Sequence, residues 1–393
     1  MSDITLVILS AGDSTRFIKE SNNTKKQWIW VKNPNNSEDI PLWRYVTDSF
    51  RSMYQFEHIV ITSSKDEINY MQKFLENDEQ IVLGGATRSH SMLNALENIT
   101  TKYVMITDMA RACIPKNLID RLIKANDDEE FDCIVPILQP SDTIVYEDET
   151  IDRDKVKIIQ TPQLSNTQKL KNALQTNLSQ NIDFTDDSSA IKSMGGSIKY
   201  VDGDEQARKI TYLKDIDYLS DIGCFDAPSS ITFSGSGLDI HSFELGKDAV
   251  LGGVKLDSKY GFKAHSDGDV LIHSIIDSIL GAIGAGDIGE FFPDTDEQYK
   301  GIDSTILLSK IVDFVSKVGF EIVNIDVLIL CEIPKITPYK DEITISLSNL
   351  LGIKKYKINI KATTSEKMGF IGREEGIAVQ SIATMKYKNL IRK

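Results

Sequence analysis

The sequence predicts an α/β protein of two unlike domains, on three observations. The chain has 393 residues, more than one ordinary core uses. From its start, short β-branched runs alternate with helical patterns, as in a sheet covered on both faces. Near residue 222 that alternation stops, and glycine-punctuated text with a different rhythm replaces it.

The strands come in order: ITLVIL (4–9), HIVITSS (58–64), QIVLGG (80–85), KYVMITD (102–108) and DCIVPIL (132–138). A strand with one wet face alternates in polarity, whereas a continuous apolar run is dry on both faces, so a parallel sheet is expected. Amphipathic stretches such as LIDRLIKAND supply the covering helices. After the helical LKDIDYLSDIG, the stretch IGCFDAPSSI (222–231) breaks periodicity with Gly, Pro and a Ser pair. The chain accordingly divides into 1–227 and 228–393. The second part offers strand-like ITFSGSGLDIH, a long helix pattern at 303–318, and strands at 322–330 and 356–362.

The formal net charge of -14 argues against nucleic acid or an anionic membrane as the main partner, so any anion site must be locally focused. Cys113, Cys133, Cys224 and Cys331 show no paired spacing, which predicts reduced thiols and a cytoplasmic setting. The first residues lack a basic region, their apolar run is too short for a signal peptide, and no later segment is long enough to span a membrane.

Three polar turns converge on one edge of the first sheet. LSAGDSTRF (9–17) follows the first strand, so its backbone amides sit at the carboxyl edge where open α/β folds bind ligands, with Arg16, Lys25 and Lys26 adding charge. Taken alone this is an ordinary βα turn with surface lysines. GGATRSHS (84–91) and TDMARAC (107–113) bring a second glycine turn and Asp108, a residue type that holds Mg²⁺ or caps a helix.

In the second part, Asp239 and His241 of GLDIH project to one face of an extended strand. In AHSDGDVLIHSIIDSILGAIG (264–284), Ser266 followed by Asp269 reads as a capping box, and Asp269, His273 and Asp277 recur every fourth residue. Asp239, His241 and His273 would give Zn²⁺ three ligands and leave a fourth position open for a substrate oxygen. Spacing alone balances this against a chance pair and a buried structural histidine.

The set SAG-x-x-x-R, K-Q, GG-x-x-R-x-x-S and D-x-A-R resembles 2-C-methyl-D-erythritol 4-phosphate cytidylyltransferases, over roughly residues 3–222. The resemblance implies a Rossmann-like nucleotidyltransferase domain in which Arg16 and Lys26 neutralise the triphosphate during in-line attack on the α-phosphorus. Ala11, Gly12, Gly85 and Ser91 would line the CTP site, with Asp108 near the ribose and a Mg²⁺ or Mn²⁺ ion. Thr143, Arg153, Thr185 and Lys209 would hold the methylerythritol phosphate. The chain departs from the family pattern at Ser14, in place of a second glycine, at Lys25, in place of a proline, and at Ala86, in place of an acid. It carries DMARA where the family has DAARP.

GLDIHSF, AHSDGDVLIH, GAGDIGEFFPDTD, IPK and KATTSEKMGFIGREEGI, in that order, resemble 2-C-methyl-D-erythritol 2,4-cyclodiphosphate synthases over roughly residues 232–388. The resemblance implies an α/β cyclodiphosphate synthase domain with Asp239, His241 and His273 as zinc ligands, Asp277 orienting His273, and Glu366 holding a second divalent cation. His265 and Ser266 would sit by phosphate or erythritol, with Asp287, Gly289 and Asp294 on the erythritol hydroxyls. Thr363 and Thr364 would contact phosphates, the latter during catalysis. Pro334 and Lys335 would border the cytidine, and Phe370 and Arg373 the axis of a trimer. Paired trimers would make hexamers.

Together these expectations describe a bifunctional enzyme of the non-mevalonate isoprenoid pathway whose steps are separated by one that a distinct kinase must supply. The rival is a first domain that only binds nucleotide or aids assembly, or that acts on another polyol phosphate.

Overall fold

A computed structural model describes residues 3–34, 36–76, 78–127, 129–263, 267–293, 295–299 and 301–391. The chain divides into two compact units, Met1–Pro228 with Asn389–Lys393, and Ser229–Lys388.

In the first unit the described residues form an eight-stranded sheet. Ile4–Leu9 lies at its centre, parallel to His58–Ser63 on one side and Tyr103–Asp108 on the other, and Glu79–Leu83 extends the parallel set. Burial on both faces explains the unbroken apolar runs. Val7, Val104 and Ile106 pack with Met92, Leu96, Leu170 and Leu174 from helices Arg88–Leu96 and Thr167–Ser179. Leu6, Ile8, Trp28 and Trp43 are fully buried as well. The sheet is not parallel throughout: Gln163–Asn166 inserts antiparallel between Tyr103–Asp108 and Cys133–Leu138. This strand, QLSN, is short and largely polar, so no apolar run announces it.

The second unit holds a five-stranded sheet in the order Tyr260–Phe262, Thr232–Leu245, Gly376–Tyr387, Phe320–Leu330, Ile358–Thr363. Only the last pair is parallel. Along Thr232–Leu245 exposure alternates, as expected of a strand with one covered face. Helix Val270–Ala282 covers that face. A Cβ on Gly235 would lie 2.2 Å from Ser278 O, and one on Gly237 1.9 Å from Ser274 O, so the helix backbone rests directly on the strand backbone. The opposite face leaves Leu238, Ile240 and Ile382 at 61%, 50% and 42% exposure.

The helix does not open with the expected capping box. Asp269 is itself the N-cap, accepting from Ile272 N at 3.0 Å and also from Gly252 and Gly253 N. A short acidic side chain at that position captures free amides, so it holds a turn rather than a ligand. Ser266, His265 and Asp294 lie outside the described residues.

The expectation of four reduced thiols is overturned. Cys113 and Cys224 form a disulfide, with Cα atoms 6.0 Å apart and a sequence separation of 111. Pairing across such a distance leaves no mark in local spacing. Cys133 and Cys331 are free and buried. No helix among the described residues is long and apolar enough to cross a membrane.

Candidate active sites

In the first unit, Thr62 Oγ1 accepts from Ser10 N at 2.9 Å and Ala11 N at 3.3 Å, so those two amides are engaged inside the protein. Ser14 has φ 54°, the left-handed conformation that glycine adopts most easily. Its hydroxyl accepts from Lys26 N at 3.3 Å and donates to Gln27 Oε1 at 3.4 Å, tying the loop to the segment that carries Lys26. Behind both, the buried Glu67 carboxylate accepts from Gln27 Nε2 at 3.1 Å and Trp28 Nε1 at 2.6 Å, and pairs with Lys25 Nζ at 2.5 Å. That ion pair is how a lysine is accommodated at a buried position. A Cβ on Gly84 would lie 2.3 Å from Ala11 Cβ, so glycine lets the second turn close on the first.

These turns enclose a cavity of about 310 Å³. Ala11, Gly12, Lys26, Gly85, Ser91, Asp108 and Lys209 all line it. Gly85 N donates to Ser91 Oγ at 3.0 Å, so part of this turn satisfies itself. Lys26 Nζ donates to Ile210 O at 3.1 Å. Burial, and after it Lys209 and Arg16, pushes the Lys26 ammonium down to about 8.

Asp108 accepts from Lys209 Nζ at 2.6 Å and from Arg88 Nε at 3.2 Å. Burial works to raise its pKa, but Arg88 and Lys209 outweigh burial and hold the carboxyl well below the usual range. Arg88 lines the cavity and is anchored at 3.0 Å by the fully buried Asp187. Sequence reasoning included Arg88 in the GG-x-x-R-x-x-S pattern but gave it no role; it directly follows Thr87, which caps the helix at the cavity edge. Arg111 turns away, donating to Ala207 O at 2.5 Å.

Other expected residues do not line the cavity. Arg16 is exposed on the short helix Thr15–Ile18, near enough to depress Lys26. Thr143 and Arg153 are exposed at either end of the hairpin formed by Ile144–Tyr146 and Glu149–Ile151, where Arg153 Nη1 donates to Ser141 O at 2.7 Å. Thr185 is exposed before helix Asp187–Ser193.

In the second unit, strand and helix bring three donors together. His241 Nε2 lies 3.0 Å and His273 Nδ1 3.2 Å from Asp239 Oδ2, and all three ligand atoms fall within 4.8 Å of one another. Tetrahedral Zn²⁺ with bonds near 2.0–2.1 Å spaces its ligand atoms by roughly 3.3 Å, and two imidazoles with a carboxylate are a donor set it accepts. These residues therefore fit the ion. Burial works to raise the Asp239 pKa, but hydrogen bonds and charge from His241 and His273 prevail and hold the carboxyl well below its usual range. The side chains are 25%, 11% and 15% exposed for Asp239, His241 and His273, so the group opens to solvent.

Asp277 does not take the role expected of it. Its carboxylate accepts from Ile288 N at 2.8 Å, while His273 Nε2 is held by Ser304 Oγ at 2.9 Å. Asp287 caps the helix Ile288–Phe291, which contains Gly289, by accepting from Glu290 N. Glu366 is exposed at φ 51°, accepts from Thr364 Oγ1 at 3.1 Å, and is not among the three clustered ligands. Its turn is shaped by Glu332, a residue the sequence did not single out, which accepts from Ser365 N and Lys367 N. Thr363 precedes that turn at the end of strand Ile358–Thr363, and Pro334 follows a cis peptide bond, with Lys335 exposed beside it. Phe370 is 39% exposed, and Arg373 Nε donates to Glu375 at 2.8 Å.

Comparison with known proteins covers both units. Residues 4–220 match the family model of 2-C-methyl-D-erythritol 4-phosphate cytidylyltransferase, and residues 232–386 match that of the YgbB family. The chain is 57% identical over 389 residues to the bifunctional enzyme IspD/IspF of Aliarcobacter butzleri (strain RM4018), covering 99% of each. It is 49% identical to the bifunctional enzyme IspD/IspF of Sulfurovum sp. (strain NBC37-1), again covering 99% of each. It also matches the solved structure of the bifunctional IspDF from Campylobacter jejuni at 44% identity and TM-score 0.84, covering 100% of both chains.

Proposed function

The chain belongs to the bifunctional IspD/IspF enzymes, and from that premise we propose how its residues divide the work. The first domain transfers CMP from CTP to 2-C-methyl-D-erythritol 4-phosphate, releasing pyrophosphate. The second cyclises CDP-methylerythritol 2-phosphate to methylerythritol 2,4-cyclodiphosphate, releasing CMP. The observation that carries the assignment of residues is the presence in one chain of a cavity lined by Lys26, Asp108 and Lys209 and of a triad of Asp239, His241 and His273.

In the first reaction a substrate phosphate oxygen attacks the α-phosphorus of CTP, and pyrophosphate leaves in line. Lys26 and Arg16 stabilise the charge that gathers on the phosphorus and the leaving group. Ala11, Gly12, Gly85 and Ser91 shape the nucleotide pocket. Lys209, Arg153, Thr143 and Thr185 hold the methylerythritol phosphate. Asp108 would lie beside a Mg²⁺ or Mn²⁺ ion, which would supply charge to offset that of the phosphates.

In the second reaction the 2-phosphate attacks the β-phosphorus of its own diphosphate. Thr364 and Thr363 orient the phosphates, Asp287, Gly289 and Asp294 the erythritol, and His265 with Ser266 the phosphate edge. Pro334 and Lys335 border the cytidine. Asp239, His241 and His273 would hold Zn²⁺ and Glu366 a second divalent cation, and these ions would supply Lewis-acid polarisation of the phosphates and charge to offset that on the departing CMP.

The second domains form a trimer, a state supported by the apolar sheet face of Leu238, Ile240 and Ile382. Phe370 and Arg373 border its axis, and pairing of first domains joins trimers into hexamers. The enzyme works in the cytoplasm, where CTP is held, and a separate kinase acts between its two steps. Full-length similarity to bifunctional enzymes favours turnover at both sites over a first domain that only binds nucleotide. The test supplies CTP, Mg²⁺ and methylerythritol phosphate and follows pyrophosphate, then supplies the CDP-methylerythritol 2-phosphate and follows CMP. CMP release without pyrophosphate release would reduce the first domain to a binding module.

A further inference from the structure

The proton on His273 is placed by a chain of hydrogen bonds that runs away from the ligand group. Asp267 lies just before the helix that carries His273, and Ser304 opens the helix Ser304–Lys317. The Asp267 carboxylate accepts from Ser304 N at 3.0 Å, from Ser304 Oγ at 2.5 Å and from Asp269 N at 3.2 Å. A carboxylate has only lone pairs to offer, so the single hydroxyl proton of Ser304 is committed to Asp267. What Ser304 Oγ then presents to His273 Nε2, at 2.9 Å, is a lone pair.

An imidazole nitrogen facing a lone pair must carry the hydrogen. In the neutral ring the other nitrogen, Nδ1, is then bare. Nδ1 is the atom that meets Asp239 Oδ2 at 3.2 Å, beside His241 Nε2. Two lone pairs directed at one point repel unless a proton or a metal ion lies between them, and with the neutral ring's hydrogen held at Nε2 the metal ion is what remains. Ser304 is fully buried, so water does not compete for its hydroxyl.

We propose that Ser304, backed by Asp267, is a positioning residue that locks His273 in the Nε2–H tautomer and so reserves Nδ1 for a metal ion. The proposal rests on the metal reading of Asp239, His241 and His273. It assigns no ligand role to Ser304 or Asp267, and it replaces Asp277 as the group that orients the ring. Asp267 sits between two helix starts and fastens both, so the ring orientation is set by packing as well as by hydrogen bonding.

The test uses the full-length chain labelled with ¹⁵N-histidine. Long-range ¹H–¹⁵N correlation of the metal-free protein, at a pH above the imidazole titration, reads the tautomer directly. Wild type is expected to show His273 with Nε2 protonated and Nδ1 bare. Ser304→Ala removes that preference and raises the Zn²⁺ dissociation constant, measured by chelator competition, by about 10–100-fold. Ser304→Thr, which keeps the hydroxyl, restores both readings. Should Ser304→Ala not fold, Asp267→Asn serves instead. Its amide can donate to Ser304 Oγ, turn the serine proton toward His273 and favour the Nδ1–H form, with a similar loss of affinity. A folded Ser304→Ala protein that binds Zn²⁺ within twofold of wild type overturns the proposal, as does a wild-type ring protonated at Nδ1. A wild-type protein that binds no Zn²⁺ sinks the metal reading itself, whatever tautomer is found.

Discussion

Raising the pH past about 8 is expected to slow cytidylyl transfer by discharging Lys26, a cavity lysine whose ammonium is pushed down to about 8 from an ordinary 10.5. On that titration about nine-tenths of the free enzyme carries the charge at pH 7 and about one-tenth at pH 9. Because kcat/KM reports the free enzyme, its value for CTP should fall about tenfold over that interval, whereas a lysine at 10.5 would lose only a few per cent. Bound triphosphate favours the charged form, so the limb in kcat should lie at higher pH. The assay is pyrophosphate release at saturating methylerythritol phosphate across the pH range. Two substitutions isolate the cause. Lys26→Arg, whose side chain stays charged throughout, should remove the limb whatever it does to the maximum rate. Lys209→Gln, which removes the neighbour that ranks after burial in depressing Lys26, should move the limb to higher pH. A flat wild-type profile to about pH 9.5, or a limb that persists unmoved in Lys26→Arg, would refute the reasoning.

Three further outcomes follow from the packing. Asp239→Ala or His273→Ala should abolish bound zinc by elemental analysis and stop CMP release, while pyrophosphate release in the other unit continues. Gly237→Ala places a Cβ within 1.9 Å of Ser274 O and should cost about 1–3 kcal/mol by urea unfolding, with weaker zinc binding; an unchanged midpoint would show that the helix is free to move. Glu67→Gln leaves the buried Lys25 ammonium, at 5% exposure, with only the exposed Asp13 carboxylate at 3.4 Å as a counter-charge, and should cost up to about 3–5 kcal/mol. Pairing it with Lys25→Met should recover most of that loss, and a double variant as unstable as the single one would refute the ion-pair argument.

The strands of the first unit were legible because their apolar runs reflect burial on both faces; Ile4–Leu9 and Tyr103–Asp108 lie where the text places them. Gln163–Asn166 was not, since a short polar strand is held by its neighbours rather than by its own residues. Of the sites, the cluster of Asp239, His241 and His273 was legible because period two in GLDIH and one histidine on a helix leave few ways to assemble three donors. The groups that support them were hidden. Ser304 looks like any first residue of a helix, and Asp267 like a loop acid, until tertiary contact joins them to His273. Arg88, though part of the GG-x-x-R-x-x-S pattern, received no role of its own for a related reason: its anchoring depends on Asp187, 99 residues away. The disulfide shows the same limit, because a pairing of residues 111 apart has no local signature.

The two glycines of GSGLDIH have a consequence beyond packing. They offer a metal no side-chain donor, yet their missing side chains let the helix that carries His273 settle against the strand that carries Asp239 and His241. The span of the donor group is therefore a distance between two backbones, with no flexible side chain in the gap to absorb an error. Copying Asp239, His241 and His273 onto another strand and helix would transfer the ligands without the spacing that makes them one site.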